Sequence, residues 1–267
     1  MTTLEPVAEV AVIGGSGFYT FLDDPEQHQV ETPYGAPSAP VSVGTVAGQR
    51  VAFLPRHGLH HEYPPHLINY RANAWALRSL GVRQVLAPCA VGSLRPEVGP
   101  GAVVVPDQLV DRTTGRTQTF VERGAVHAPF ADPFCGRLSA AVASVDETVR
   151  TGGAMVVIEG PRFSTRAESQ HYAAQGWSLI NMTGHPEAIL AREMRQCYAA
   201  IALVTDLDAG VEAGSGVSQE EVFAIFAQNL GRLRGLLADA IAALPGPGGC
   251  SCESWADGID LTYAIPS

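Results

Sequence analysis

The chain has 267 residues, of which 46% are hydrophobic and 16% charged, a composition ordinary for a globular protein and long enough for one large domain with a well-buried core. Its formal net charge of −10 argues against a nucleic-acid binder, so a small anionic ligand has to be met by a local cluster of donors. No uninterrupted apolar run approaches the roughly 20 residues that span a bilayer, and residues 1–9 carry no basic region of the kind that opens a secretory signal, so a cytoplasmic protein is expected.

Short apolar runs alternate with helical stretches along the chain. Strands are predicted at 9–13, 50–54, 84–88, 102–105, 155–158, 179–181 and 199–204. Several are unbroken in Val, Ile, Leu and Ala, as in a sheet covered on both faces. Thr165 with Glu168 forms a capping box, and Gly176 closes the helix that it opens. Pro186 suits the first turn of a helix running to about Gln196. Ser218 with Glu221 is a second capping box. The helix after it places Val222, Phe223, Ile225, Phe226, Leu230, Leu233, Leu237, Ile241 and Leu244 at core-face spacing. The pattern describes one α/β domain over residues 1–245, then a tail over 246–267. The tail opens PGPGGCSCESW and reads as a loosely held surface segment.

Five motifs near strand ends carry residues suited to binding. Gly14-Gly15-Ser16-Gly17 follows the first strand; its glycines let backbone amides approach an anion, and Ser16 adds a donor. A dinucleotide fingerprint fails there because position 20 is Thr20, and a plain tight turn is the alternative. Arg56 and His57 follow the second strand, where ligands of open α/β sheets bind; Arg56 offers a planar fork for phosphate and His57 can donate beside it. His57, His60 and His61 lack a supporting carboxylate or cysteine set for a metal, and His60, His61 and His66 read as a solvated loop. Cys89-Ala90-Val91-Gly92-Ser93 is the third motif, with Cys89 read as a small pocket-lining residue rather than a nucleophile. Phe163, in Glu159-Gly160-Pro161-Arg162-Phe163, suits a lid over a flat ring, or alternatively a core plug. Asp206 and Asp208 stand two residues apart at a strand end and point the same way, so crowding and burial raise at least one pKa. A metal or a helix-capping role for Asp208 is the alternative. The five cysteines form no even framework and are expected to be reduced; Cys250 and Cys252 supply only two ligands and read as incidental residues of a flexible tail.

Taken together and in this order, the motifs resemble the methylthioadenosine and purine nucleoside phosphorylase family, over residues 8–240. TPYGAPSAP at 32–40, NYRANAWAL at 69–77, DQLVDRT at 107–113, GPRFSTRAES at 160–169 and INMTGHPE at 180–187 are similar too. The resemblance implies a single α/β domain with a central mixed, largely parallel, partly barrel-like sheet flanked by helices. It also implies a homotrimer with active sites at subunit interfaces. The adenine-preferring branch carries the aspartate pair, which points to phosphorolysis of S-methyl-5'-thioadenosine to adenine and 5-methylthioribose 1-phosphate, other 5'-deoxyadenosine analogues or adenosine also fitting. Ser16, Arg56, His57, Ala90 and Thr183 would hold phosphate. Phe163, Asp206 and Asp208 would surround the base, with Asp206 the acid at N7 and Asp208 reading the 6-amino group. Met182 would lie against the ribose, Val222 and Phe223 would line the 5' pocket, and His127 would reach it from a neighbouring subunit. No metal or organic cofactor is implied; inorganic phosphate is a co-substrate. Cys89 replaces the family's usual threonine, and Gly184-His185 also departs from the commoner pattern. The alternatives are a phosphorylase for inosine, guanosine or methylthioinosine, and a catalytically silent nucleoside-binding protein.

Overall fold

The computed structural model describes residues 6–211 and 216–266, so the first five residues of the predicted domain lie outside the described ones. Each predicted apolar run forms a strand. In chain order the strands are β1 (Val10–Gly14), β2 (Glu26–His28), β3 (Val41–Val46), β4 (Gln49–Pro55), β5 (Gln84–Ser93), β6 (Val103–Val105), β7 (Gln108–Arg112), β8 (Arg150–Thr151), β9 (Ala154–Ile158), β10 (Leu179–Asn181) and β11 (Cys197–Leu207). The helices are α1 (Tyr70–Ser79), α2 (Gly136–Ser144), α3 (Arg166–Ala174), α4 (Gly184–Glu193), α5 (Gln219–Ala243) and α6 (Ser251–Ser254).

One mixed sheet contains all these strands, and β5 is its trunk. β5 pairs parallel with β11 along its whole length, parallel with β1 near its start and antiparallel with β10 at its end. Three arms leave the trunk: β1-β4-β3-β2, β10-β9-β7 and β11-β6-β8. The unbroken apolar runs are explained by two covered faces. Along β11, Cys197, Ala199, Ile201 and Leu203 pack toward α2 and α5, while Tyr198, Ala200, Ala202 and Val204 pack toward α1 and α4. The same period-two division holds for β1, with Val10 and Val12 on one side and Ala11 and Ile13 on the other.

The structure adds four strands to the sequence reading. β2 and β8 are short and polar, and β7 is mostly exposed, so none carries an apolar signal. β3 alternates, with Val41 and Val43 buried, but Gly44 interrupts the pattern. β5 and β11 run past their predicted ends at 88 and 204 to Ser93 and Leu207, so the Cys89 motif and Asp206 lie within strands and Asp208 directly follows one.

The capping box at Thr165 is present in both directions: its hydroxyl accepts from the Glu168 N–H, and the Glu168 carboxylate accepts from the Thr165 N–H. At Ser218 only one half forms, the Glu221 N–H to the Ser218 hydroxyl. Regular α4 geometry begins at Pro186, after an extended His185, and stops at Glu193 rather than Gln196 because Arg195 turns to a φ of 58°. On α5 the deep contacts begin at Phe226; Val222, Phe223 and Ile225 are only half-buried.

The tail is docked, contrary to the expected loose segment. Cys252 and Ala256 are buried. The Trp255 indole N–H donates to the Arg192 carbonyl at 2.8 Å, and the Tyr263 hydroxyl donates to the Glu193 carbonyl at 2.8 Å. Tyr263 also stacks on Phe120, and Arg195 pairs with Asp257. These anchors are scattered among Gly, Pro and Ser, so no periodicity reveals them. Among the described residues no helix is long and apolar enough to cross a membrane.

Candidate active site

A cavity of about 330 Å³ opens beyond the carboxyl ends of β1, β4 and β11, closed on one side by the first turns of α5. This is the size of a small-molecule site. Ser16, Arg56, His57, Ala90 and Thr183 line it, as do Phe163, Met182, Asp206, Asp208, Val222 and Phe223. His127 does not; it is exposed on the loop before α2.

The cationic end is built around Arg56, only 1% exposed. Its Nε and Nη2 donate to the two oxygens of Glu187 at 2.6 and 2.7 Å, a bidentate pair with the first full turn of α4. The Tyr198 hydroxyl donates to the same carboxylate at 2.7 Å. Burial works against the guanidinium charge, but Glu187 outweighs it and the pKa rises, so Arg56 is always a cation. Nη1 makes only a long contact, 3.3 Å, to the Pro88 carbonyl. A Cβ on Gly15 would lie 3.0 Å from Nη1, so the glycine leaves room for the guanidinium. Glycine at 15 is therefore as much about packing the arginine as about an anion.

His57 takes a role different from the expected donor. Its Nδ1 is 2.8 Å from the Tyr63 carbonyl, which can only accept, so Nδ1 carries the ring proton. Burial pushes the pKa down to about 3, leaving a neutral ring whose Nε2 is a lone-pair acceptor. His61, read from sequence as part of a solvated loop, instead stacks on His57 with centroids 4.4 Å apart and lines the cavity. Its Nδ1 meets the Tyr19 hydroxyl at 2.9 Å. His60 and His66 are exposed as expected.

Thr183 is fixed by Asn181, whose side-chain oxygen accepts from the N–H groups of Thr183 and Gly184 at 2.7 and 2.6 Å. The Asn181 amide donates to the Ala90 carbonyl at 3.2 Å, joining the turn to β5. Cys89 is buried, and burial pushes its thiol up to about 12, so the nucleophile reading fails.

The carboxylate end depends on a bulge in β11. Val204 pairs with Val91 but Asp206 pairs with Gly92, leaving Thr205 as the extra residue. The Thr205 hydroxyl lies 2.8 Å from Asp206 Oδ2. Burial raises the Asp206 pKa to about 6, against the Thr205 hydrogen bond and with help from the charges of Asp208 and Glu221. Asp208 is 3% exposed; burial raises its pKa too, opposed by the Ser169 and Ser164 hydroxyls. Its Oδ2 is buried without a hydrogen-bond partner, an arrangement rare enough to point to a missing donor. Gly92 makes this end possible: a Cβ there would sit 2.9 Å from Asp206 Oδ1 and 2.8 Å from the Ile180 side chain.

Glu187, Tyr198, Asn181 and Arg116 support the site and went unassigned in the sequence reading. The Arg116 guanidinium binds the carbonyls of Glu159, Met182 and His185 at 2.6, 2.9 and 2.7 Å, tying together the segments that carry Phe163 and Met182. Glu187 and Asn181 fall inside the INMTGHPE stretch, whose polar residues next to a strand end are a usable signal. Arg116 lies in a polar loop with none.

The sequence profile of the Phosphorylase superfamily matches residues 9–242. A relative from Mycolicibacterium smegmatis named S-methyl-5'-thioadenosine phosphorylase is 57% identical over 96% of this chain and 99% of its own. A relative from Streptomyces coelicolor named purine nucleoside phosphorylase is also 57% identical, over 97% of this chain and 98% of its own. Among solved structures, methylthioadenosine phosphorylase from Schistosoma mansoni in complex with adenine superposes with a TM-score of 0.84 at 37% identity, covering 88% of this chain and 91% of that one.

The buried pair makes a direct stability prediction. Glu187→Gln leaves the Arg56 charge uncompensated and is expected to cost about 3–5 kcal/mol in urea unfolding. Tyr198→Phe removes one hydrogen bond to the same carboxylate and should cost only about 1 kcal/mol. Equal losses for the two variants would show that the charge of Glu187 is not what holds Arg56.

Proposed function

The chain belongs to the phosphorylase superfamily, and from that membership and the chemistry of its cavity we propose that it cleaves S-methyl-5'-thioadenosine with inorganic phosphate, releasing adenine and 5-methylthioribose 1-phosphate. The observation that carries the substrate choice is the unpartnered buried Oδ2 of Asp208 beside an Asp206 whose pKa is raised to about 6. Adenine answers both. Its exocyclic amine donates to Asp208, and its N7 accepts a proton from Asp206. A 6-oxopurine sets a carbonyl against the Asp208 carboxylate, two acceptors facing each other in a buried site, which discriminates strongly.

Phosphate binds at the other end, between the Arg56 guanidinium, the hydroxyls of Ser16 and Thr183, and backbone groups around Ala90. A phosphate O–H donates to His57 Nε2, the role that its neutral ring leaves open. As the bond from C1' to N9 breaks, a phosphate oxygen bonds to C1'. The electron pair left on the purine is met at N7 by the proton of Asp206. The phosphate charge offsets the oxocarbenium-like ribose while the bond is in transit, and fixed donors hold it in line. Phe163 covers the base and Met182 lies against the ribose. Val222 and Phe223 give the 5' group an apolar wall that favours a methylthio substituent, since a buried hydroxyl without a partner is costly.

The reading includes no metal or organic cofactor in the reaction, a cytoplasmic location and a homotrimer in which His127 of one subunit reaches the 5' pocket of the next. Leu59 and Leu67, 51% and 62% exposed, and the exposed Tyr63 support that assembly, because they flank the cavity-lining Pro64 and Pro65.

The first test is a panel of S-methyl-5'-thioadenosine, adenosine, inosine and methylthioinosine with and without phosphate. Turnover of the first compound should require phosphate and yield the sugar 1-phosphate. Equal rates in phosphate-free buffer would make the enzyme a hydrolase, and a preference for inosine would favour the reading suggested by the S. coelicolor relative.

Asp208→Asn replaces an acceptor-only group with one that can donate to a 6-carbonyl. The ratio of kcat/KM for adenine over hypoxanthine nucleosides should fall by about 100-fold or more; an unchanged ratio would remove Asp208 from base reading.

Asp206 is needed protonated, so kcat/KM should decline as pH rises through about 6. In Asp206→Asn that limb should flatten, because an amide does not titrate. The same raised pKa fixes the sign for stability: the protonated form's contribution is present below the ordinary value of 3.8 and is lost as pH rises through about 6. A wild-type limb that persists in Asp206→Asn would assign the titration to another group.

A further inference from the structure

Cys197 begins β11 and Asp206 stands near its other end, so the two are about 30 Å apart along the strand at ~3.3 Å per residue. At the Cys197 end the fold brings four cysteines together. Cys135 precedes the first residue of α2, and Cys250 and Cys252 come from the docked tail at α6. Their sulfur atoms all lie within 4.8 Å of one another. Cys197 and Cys250 are 3.3 Å apart, and Cys135 and Cys250 are 3.9 Å apart. The thiols of Cys135, Cys197 and Cys252 are buried, and Cys250 is half-buried at the edge.

We propose that Cys135, Cys197, Cys250 and Cys252 together bind one zinc ion as a closed four-thiolate structural site that fastens the tail to the domain. The spacing is that of such a site: zinc–sulfur bonds of about 2.3 Å in a tetrahedron set the sulfur atoms about 3.8 Å apart. Four cysteines leave no coordination position open for water or substrate, which makes the site structural. Thiolates select zinc over hard cations such as magnesium or calcium, which take oxygen ligands. Binding replaces the four thiol protons with one Zn²⁺ and leaves a net charge of −2 on the centre. Arg137 is placed to offset it: its Nη2 donates to Cys197 Sγ at 3.4 Å, while its Nη1 donates to the carbonyls of Pro245 and Gly246 at 3.0 and 2.9 Å. That guanidinium thus touches both the cluster and the start of the tail. The N-terminal end of α2 favours a thiolate at Cys135.

The metal would also hold the tail's contacts with α4 in place. The tail that the metal would hold carries Trp255 and Tyr263, which bond the carbonyls of Arg192 and Glu193 at the end of α4. α4 is the helix that presents Glu187 to Arg56.

The test uses tag-free full-length protein grown with zinc and dialysed. Elemental analysis should find one zinc per chain, and denaturation in chelator without reductant should then expose five free thiols, the four ligands and Cys89. Metal-free protein titrated with Co²⁺ should develop the thiolate-to-metal charge-transfer band and visible d–d bands of a tetrahedral tetrathiolate. The double variant Cys250→Ser, Cys252→Ser should lose stoichiometric zinc and show faster proteolysis of residues 246–267, with phosphorolysis as the check that the domain has folded. If that variant does not fold, the metal count and cobalt spectrum of the wild-type chain decide alone. Failure to take up zinc or cobalt at stoichiometric level would overturn the proposal. So would the loss of free thiols in the denatured unreduced chain, which would mean disulfides at the cluster. Neither outcome bears on the phosphorylase reading, since none of these cysteines lines the cavity.

Discussion

A cation with 1% exposure is held in place by one carboxylate, and most of the cavity's architecture follows from that pair. Arg56 leaves the end of β4; Glu187 belongs to α4; Tyr198, which shares the carboxylate, belongs to β11. Around them stand the Pro88 carbonyl of β5 and the Gly15 turn after β1. Five elements are thus fixed relative to one another by a charge that cannot be left unpaired in a low-dielectric interior. Such a pair adds little to stability over an apolar replacement, but removing either partner is expensive, so the arrangement persists as a unit. For the phosphate proposed to bind here that is an advantage. The donor is already desolvated and oriented before a ligand arrives, and no reorganisation is needed at the moment of binding.

The carboxylate end is preorganised by different means. Asp206 and the residues that face it lie on the extensions of β5 and β11, the two longest strands, rather than on loops. The bulge at Thr205 shifts the register by one residue just where the strand reaches the cavity, and its hydroxyl takes up one oxygen of Asp206. The other oxygen lies over Gly92. The glycines of both motifs therefore have a shared physical meaning. Each stands where a charged side chain from another strand must pass close to backbone, Arg56 at Gly15 and Asp206 at Gly92, and a Cβ would obstruct it.

That explains what was legible in the sequence and what was not. The strands were readable because both sheet faces are covered, which forces unbroken apolar runs; β2, β7 and β8 at the margins are under no such constraint. Ser16, Arg56, His57, Phe163, Asp206 and Asp208 were readable because they sit beside strand ends in motifs of unusual composition, whereas Ala90, Thr183, Met182, Val222 and Phe223 followed only from the family resemblance. The residues that hold them were harder. Glu187 is an ordinary acidic residue on a helix until the fold puts Arg56 against it, and Arg116 acts through three backbone carbonyls that no side-chain pattern encodes. The tail was misread for a related reason. Its composition is that of a loop, and only the meeting of Cys250 and Cys252 with Cys135 and Cys197, more than fifty residues away in sequence, gives it a fixed place.

The two titratable groups proposed to take part in chemistry are shifted in opposite directions by the same cause. Desolvation disfavours charge whatever its sign, so it raises the Asp206 carboxyl to about 6 and lowers the His57 imidazole to about 3. One becomes a proton donor near neutral pH and the other a bare acceptor. The Arg56 charge is already matched by Glu187 and the imidazole is neutral, so Asp206 and Asp208 set what net charge the cavity carries. The charges that appear during glycosidic cleavage, on phosphate, ribose and purine, interact with one another, with these carboxyl groups and with fixed dipoles, in a medium where such interactions are strong. An exposed aspartate with a hydrogen-bonded, ordinary pKa would remain ionised and repel the electron-rich purine. Burial, rather than the identity of the residue alone, is what raises the Asp206 carboxyl.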